Sequence, residues 1–175
     1  MKILLVILTL SYSVPSLAFD IKPGLWEVQT VVTYDGKQFD PQAEIKKAMA
    51  AMSPEQRKQM EALMKKGAGG GSGFGGLSEN GFRICYTKAM LNDPKKVMES
   101  SKKCKMDLKS QTSTKLTGTF NCPDDKTSGT FDWTVKNQNL YEGLMTGKTK
   151  DGKTSLVRQN AKFVSADCGS VKPEL

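Results

Sequence analysis

The chain contains 175 residues, with 26 Lys and Arg against 18 Asp and Glu, four Cys and no His. Without His, a Ser-His-Asp triad, a Cys-His dyad and any zinc site that uses imidazole are excluded. The length fits one domain, since domains usually contain about 100–200 residues. The apolar share of 38% is enough for a modest core.

Residues 1–18 predict a secretory signal peptide. Lys2 provides a positive charge, the run that follows it is almost entirely apolar, and Ser16 and Ala18 are the small residues that a cleavage site requires. The apolar run is shorter than the ~20 residues that a membrane-spanning helix needs. We therefore expect cleavage after Ala18 and a single exported β-rich domain over residues 19–175, without a transmembrane segment.

The mature part starts with the pattern of a half-buried strand. Over residues 25–34, apolar side chains such as Trp26 and Val28 alternate with polar ones, which is the period of a strand with one buried face. Asp35-Gly36 follows and is a strong signal for a tight hairpin turn. We therefore expect a hairpin at the start of the domain.

A helical insert interrupts the strands. Residues 41–66 are mostly helix formers, and Ser53 followed by Pro54 has the pattern of a helix start, with an N-cap and Pro at the first helical position. Residues 67–76 consist mainly of Gly and predict a flexible loop. Because this loop lacks the Lys-Ser/Thr pair and the strand-to-helix context of a phosphate-binding loop, we do not assign phosphate binding to it.

The rest of the chain returns to strands. We expect a strand over residues 82–87 and a short helix from Asp93 to about Ser101. Five further runs alternate apolar and polar side chains, and they lie at residues 104–109, 116–122, 130–135, 140–147 and 154–164. This pattern predicts a mainly β fold, an antiparallel meander with one solvated face. The Gly-x-Trp motif at residues 24–26 resembles the start of lipocalin-type barrels, so we expect the sheet to curl into a half-barrel or barrel.

Four Cys in an exported chain predict two disulfides rather than a metal site. Cys104 and Cys122 lie on the apolar faces of consecutive predicted strands. In a bulge-free hairpin that places them opposite each other, the apolar residues between them also meet, and the turn falls at residues 112–114. This self-consistent register predicts the pair Cys104–Cys122, and it leaves Cys85 to pair with Cys168.

Several sequence features occur in an order that is typical of one family. They are a Pro-Gly-x-Trp-Glu opening at residues 23–27, a Met-rich insert with Met52 and Met60, a Cys-x-Thr strand at residues 85–87, Cys104 and Cys122 on neighbouring strands, and a final Asp167-Cys168. In this order the chain resembles the exported bacterial family known as domain of unknown function 3617. The resemblance covers nearly all of residues 19–169, although the Gly-rich loop is not a feature that we associate with the family. It implies a periplasmic protein of Gram-negative bacteria and no particular activity.

The sequence leaves the function open between two classes. The first is a non-catalytic binding or interaction module for an apolar ligand or an envelope partner, with the helical insert as a flap over a concave sheet. Possible ligand-lining side chains are the large aromatic ones, Trp26, Phe120, Phe131, Trp133 and Phe163. Large apolar side chains more commonly form only the core. The second class is an enzyme that uses Tyr, Lys or carboxylate chemistry, but no motif designates a catalytic residue or a cofactor.

The Met residues of the insert, Met49, Met52, Met60 and Met64, give one metal hypothesis. Thioethers are soft ligands that suit Cu(I). Met is also an adaptable filler of amphipathic helices and of binding grooves. We favour the packing or partner-surface interpretation over copper, and we expect no other metal site.

The formal net charge of +8 raises the question of a nucleic-acid or anionic-lipid partner. The basic clusters contain Lys and no Arg, with few aromatic residues among them, whereas nucleic-acid readers rely on Arg and on stacking aromatics. We therefore expect no nucleic-acid partner. The lysines are interpreted as solvated strand faces with a weak attraction to anionic envelope surfaces.

Overall fold

The structure is a computed structural model, and it describes residues 19–67, 77–78, 81–95 and 104–173. Within these ranges the strands are β1 (Gly24–Tyr34), β2 (Lys37–Phe39), β3 (Leu77–Ser78), β4 (Gly81–Tyr86), β5 (Lys105–Gln111), β6 (Lys115–Cys122), β7 (Thr127–Asn137), β8 (Leu140–Thr149) and β9 (Thr154–Ser165). The helices are α1 (Pro41–Ala50), α2 (Pro54–Gly67) and α3 (Lys88–Asn92). The predicted signal peptide, residues 68–76 of the Gly-rich loop and most of the predicted helix after Asp93 lie outside the described residues.

The described strands form one antiparallel sheet with the order β3-β4-β1-β9-β8-β7-β6-β5, and β2 pairs with the end of β1. Strands β5 to β9 follow one another as a meander, because each is joined to the next by a short turn. Strand β9 then pairs with β1, and β1 pairs with β4 on its other side. The predicted mainly β class, with an antiparallel meander and a small helical insert, is confirmed.

The first hairpin forms where its turn signal predicts it. Asp35 and Gly36 join β1 to β2 with φ values of 49° and 78°, the positive angles that a tight two-residue hairpin turn requires. Gly adopts this conformation without the steric penalty that a Cβ imposes. The pairing of Tyr34 with Lys37 follows directly from this turn.

The hairpin of β5 and β6 has the predicted register over its first part. Met106 lies opposite Phe120, and Leu108 lies opposite Gly118. Between Leu108 and Ser110 the register shifts by one residue, so the assumption of a bulge-free hairpin was wrong for the end of β5. A bulge leaves one residue unpaired and lets a strand bend without changing the turn position, and the turn still falls at residues 112–114.

Both predicted disulfides are present. Cys104 is bonded to Cys122 across β5 and β6, and Cys85 on β4 is bonded to Cys168 after β9. The second bond holds the C-terminal tail against the outer face of the sheet, where Leu25, Cys85 and Val171 form a small buried cluster. No free Cys remains among the four.

The sheet curls around its inner face. The main core lies there, and its buried members are Phe19, Ile21, Trp26, Val28, Leu91, Leu116, Phe131, Tyr141 and Ala161. Ile84 on β4 and Met106 on β5 line the same cavity although these strands lie near opposite ends of the sheet. Within the described residues no hydrogen-bonded ladder joins β5 to β3 or to β4. The sheet is therefore an open half-barrel.

The residues before β1 cross the open side of the half-barrel. The Phe19 N–H donates to the Leu91 carbonyl at 3.3 Å, and the Asp20 N–H donates to the Ser113 carbonyl at 2.7 Å. Leu91 belongs to α3 beside β4, whereas Ser113 belongs to the turn between β5 and β6. This N-terminal segment thus connects the two ends of the sheet that no strand ladder joins.

Candidate ligand cavity

A cavity of about 240 Å³ lies between the inner face of the sheet and the elements that cover its open side. Its described lining residues are Phe19, Ile21, Ile84, Tyr86, Met90, Leu91, Pro94, Met106, Leu116, Trp133, Tyr141 and Gln159. Most of these side chains are apolar, a few are polar and none is charged. A concave, mostly apolar surface with a few fixed polar groups is typical of a small-molecule site.

Helix α3 supplies one side of the cavity. The Thr87 hydroxyl accepts a hydrogen bond from the Met90 N–H at 3.2 Å, which caps the helix at its N-terminus. The cap fixes the start of a helix that has only five residues, too few to be stable in isolation. Met90 and Leu91 are buried as a result and face the cavity.

A pair of tyrosines forms part of the wall. The Tyr86 and Tyr141 hydroxyl oxygens lie 2.7 Å apart and share a hydrogen bond. Burial raises the pKa of Tyr86, partly opposed by the hydrogen bond from Tyr141. Burial raises the pKa of Tyr141 well above its usual value, and the neighbouring Tyr86 raises it further. Both hydroxyls are therefore protonated at neutral pH.

A row of polar groups crosses the inner face of the sheet. Thr30 on β1 pairs with Gln159 on β9, Gln159 pairs with Gly143 on β8, and Gly143 pairs with Trp133 on β7. The Thr30 hydroxyl and the Trp133 Nε1 are buried and have no hydrogen-bond partner within the described residues. Gln159 and Trp133 line the cavity, so this polar row reaches its floor.

Of the aromatic residues that the sequence proposed as ligand-lining, the structure places one in the cavity wall and the others in or beside the core. Trp133 lines the cavity. Trp26 and Phe131 are fully buried in the core, and Phe120 is nearly so. Phe163 packs edge-on against Trp26 at 5.8 Å and is half-buried, with the Lys22 ammonium 5.4 Å from its ring centre. These four are not among the described lining residues.

Sequence reasoning missed most of the cavity wall. Helix α3 was not predicted, although Thr87 before Lys88-Ala89-Met90-Leu91 has the pattern of an N-capped helix. The alternation of Phe19 and Ile21 just after the predicted cleavage site was a second available signal. Gln159 and the tyrosines offered no such signal, because their proximity depends on the pairing of distant strands.

The helical insert lies away from the cavity. Helix α1 packs against β1 and has no buried residue, and no described lining residue comes from α1 or α2. Met49 and Met52 are half-buried, Met60 is exposed, and the Met64 side chain is outside the described set. Among the described residues, the inner face is thus covered by α3 and the N-terminal segment and not by the insert.

The lining groups offer burial and hydrogen bonding. The described residues contain no cluster of three or more Cys, Asp or Glu side chains that could hold a metal ion. Among the helices that the structure describes, none is long and apolar enough to cross a membrane. The cavity can therefore take up apolar surface and donate hydrogen bonds through Gln159 and the tyrosine pair.

The fold and cavity define a class, that of a disulfide-linked antiparallel half-barrel with an apolar internal cavity. The family model described as protein of unknown function (DUF3617) matches residues 21–168. The chain belongs to this family, as the motif order in the sequence had indicated. No curated protein and no solved structure shows significant similarity to the chain.

Proposed function

We propose that the protein is exported to the periplasm and there binds a small apolar molecule in the cavity without catalysing its conversion. The observation that carries this proposal is the cavity itself, about 240 Å³ in volume and lined by apolar and uncharged side chains. A buried apolar wall stabilises a bound apolar ligand by about 25 cal/mol for each Å² removed from water. The wall is assembled from the sheet, α3 and the N-terminal segment, so its residues are preorganised by the fold.

Export is supported by the signal-peptide pattern of residues 1–18 and by the two disulfides. Phe19, the residue after the proposed cleavage site, is buried in the cavity wall. An intact-mass measurement on protein expressed in a Gram-negative host tests this step. We expect a periplasmic chain that begins at Phe19 and has all four Cys oxidised. A chain that stays in the cytoplasm with residues 1–18 attached would contradict it.

The protonation state of the two tyrosines in the cavity wall favours binding over catalysis. An enzyme that used Tyr as a base would need a hydroxyl that ionises near neutral pH. Burial raises the pKa of both lining tyrosines instead, and no described lining residue is a Lys or a carboxylate. These groups can hold a ligand by hydrogen bonds, but they are poorly suited to moving its protons.

The binding proposal is tested by native mass spectrometry of protein purified from the periplasm. We expect a bound mass that organic solvent extracts and that an apolar fluorescent dye replaces. Met106→Trp should abolish both signals, because Met106 is half-buried on the edge strand β5 and faces the cavity. Leu144→Trp is the matched control, since it adds the same ring to an exposed position on β8.

A thermal melt of each variant shows whether the new indole is tolerated. Overpacking a core usually costs about 1–3 kcal/mol, which leaves a measurable folded state. Failure of the wild-type protein to bind any small molecule or dye would overturn the proposal. Co-purification of an envelope protein with an empty cavity would instead favour an interaction module.

A further inference from the structure

The polar row on the cavity floor is unusual because its groups lie together and remain unpaired. Thr30 is 8% exposed, yet its hydroxyl has no hydrogen-bond partner among the described residues, and the same holds for the Trp133 Nε1. Gln159 lies beside Thr30 in the register of β1 and β9. Its side chain makes no hydrogen bond within the described part of the chain. Buried polar groups normally have partners, since an unmade hydrogen bond costs about 1–3 kcal/mol.

Gly143 explains how Trp133 and Gln159 come together. A Cβ added to Gly143 would lie 2.6 Å from the Trp133 Nε1 and 3.1 Å from the Gln159 Oε1. The absence of a side chain at this position therefore lets the indole and the amide approach each other across β8. Because both atoms lie close to the same point above Gly143, the amide oxygen is on the side of the indole. The two protons of the amide nitrogen are then available to another acceptor.

The tyrosine pair adds a further donor. Each hydroxyl carries one proton, and the hydrogen bond between Tyr86 and Tyr141 uses only one of the two. Neither hydroxyl makes another hydrogen bond within the described residues. One O–H proton of a pair that lines the cavity thus has no acceptor. The cavity surface therefore carries one O–H donor without an acceptor, in addition to the two protons of the Gln159 amide.

Charge on the ligand is disfavoured by the same surface. No described lining side chain is ionised, and the Phe19 nitrogen, which cleavage leaves as an ammonium, is directed at the Leu91 carbonyl. Burying an unpaired carboxylate or ammonium costs far more than burying a neutral polar group. The site therefore suits a compound that is uncharged, largely apolar and able to accept hydrogen bonds.

We infer that the ligand is a neutral apolar compound with a hydrogen-bond-accepting oxygen, such as a ketone or an ester, and that the Gln159 amide donates to this oxygen. The inference rests on the proposed binding function and narrows it to one ligand chemistry. We assign the recognition of this oxygen to Gln159 because its side chain lines the cavity, whereas the Thr30 hydroxyl and the Trp133 Nε1 are themselves buried. Trp133 is a positioning residue, because its indole lies beside the amide oxygen above Gly143.

The test uses the mature protein and a matched series of probes, methyl hexyl ketone, octane and octanoate, each measured by displacement of an apolar fluorescent dye at neutral pH. We expect the ketone to bind about three- to tenfold more tightly than octane, the gain of one or two neutral hydrogen bonds. Octanoate should bind more weakly than both. Equal binding of ketone and octane, or preference for octanoate, would overturn the inference while leaving apolar binding intact.

Two variants test whether the preference for the ketone over octane depends on the polar row. Gln159→Leu should bring the ratio of ketone to octane affinity to about one while octane still binds, and Trp133→Phe should reduce the same ratio. Gln29→Leu is the matched control, since Gln29 is an exposed residue on β1 and should leave the ratio unchanged. Because the readout is a ratio within one protein, a general loss of stability does not mimic it. An unaltered ratio in Gln159→Leu would overturn the role of this residue, and binding of none of the probes by the wild type would overturn the proposed function.

Discussion

The helical insert and α3 contrast sharply. Helix α1 has ten residues, a capping Asp40 and no buried side chain. Helix α3 has five residues, and two of them, Met90 and Leu91, are buried in the cavity wall. The insert has the stronger helix signals in the sequence, yet α3 contributes more to the site. A helix is thus recognised by its local residues, whereas its role depends on the surface that it covers.

The largest expected effect is a loss of stability that occurs when a cavity-wall residue is truncated but not when an exposed residue is truncated. Leu91→Ala should lower the free energy of unfolding by about 2–5 kcal/mol, the usual cost of removing a buried Leu side chain. Met60→Ala in α2 should change it by no more than about 0.5 kcal/mol, because Met60 is exposed. Urea unfolding of the two variants measures both values. Similar losses of unfolding free energy in the two variants would contradict the proposed difference between α3 and the insert.

The second expected effect is a loss of stability at high pH that originates in the cavity wall. The folded-state pKa values of Tyr86 and Tyr141 are raised, so their protonated forms favour the folded state. This contribution is complete below the unfolded-state pKa of about 10 and declines above it, by at most about 1.4 kcal/mol per pH unit for each tyrosine. The insert contains no Tyr and should not contribute.

Urea unfolding between neutral pH and pH values above the unfolded-state pKa measures this effect. The Tyr86→Phe/Tyr141→Phe variant is the control, since it removes both hydroxyls together and leaves the lysine titrations in place. Its stability should fall less steeply with pH than that of the wild type. Parallel pH curves for the two proteins would show that the pair is not responsible.

The third prediction compares two helix caps of similar strength. Thr87→Ala and Asp40→Ala should each cost about 0.5–2 kcal/mol of helix stability, because both side chains accept N-terminal N–H groups. Only Thr87→Ala should also weaken dye binding, since α3 lines the cavity and α1 does not. Dye titration beside thermal melts separates the two effects. Equal dye affinity in both variants would argue against α3 as a wall of the site.

The smallest expected effect concerns the Met residues of the insert. The variant with Met49, Met52, Met60 and Met64 changed to Leu should bind the dye within about twofold of the wild type, because the described lining residues do not come from α1 or α2. Leu and Met have similar volumes, so stability should change little. Copper titration of both proteins should be the same. A Cu(I) affinity lost in the variant would revive the metal hypothesis.

Much of the fold follows from short-range patterns. The alternation around Phe131 and Trp133 predicts β7, and Asp35-Gly36 predicts the first hairpin, because side-chain direction and turn geometry are set by neighbouring residues. The Cys104–Cys122 pair also follows from the sequence, since a hairpin register relates residues that are close along the chain. The bulge after Leu108 was missed, because no change in periodicity marks it clearly.

The cavity could not be predicted from short-range patterns, because its lining residues come from distant parts of the chain. Phe19, Met106 and Gln159 are far apart in sequence, and they share a surface only because the sheet curls and the N-terminal segment crosses its open side. Trp133 was proposed as ligand-lining because it is large and aromatic, but the same criterion selected Trp26, which lies in the core. Residue type alone did not distinguish the side chains that line the cavity from those that are buried in the core.

The sequence by itself determined the strand pattern, the disulfide pairs and the family, since these depend on local periodicity, residue spacing and motif order. Only the tertiary structure decided that the sheet stays open, that α3 and the N-terminal segment cover it, and that Thr30, Gln159 and Trp133 meet in one row. The physical reason is that the curvature of the sheet and the register of its strands depend on pairing between segments that are distant in the sequence. They bring together side chains whose spacing along the chain carries no signal.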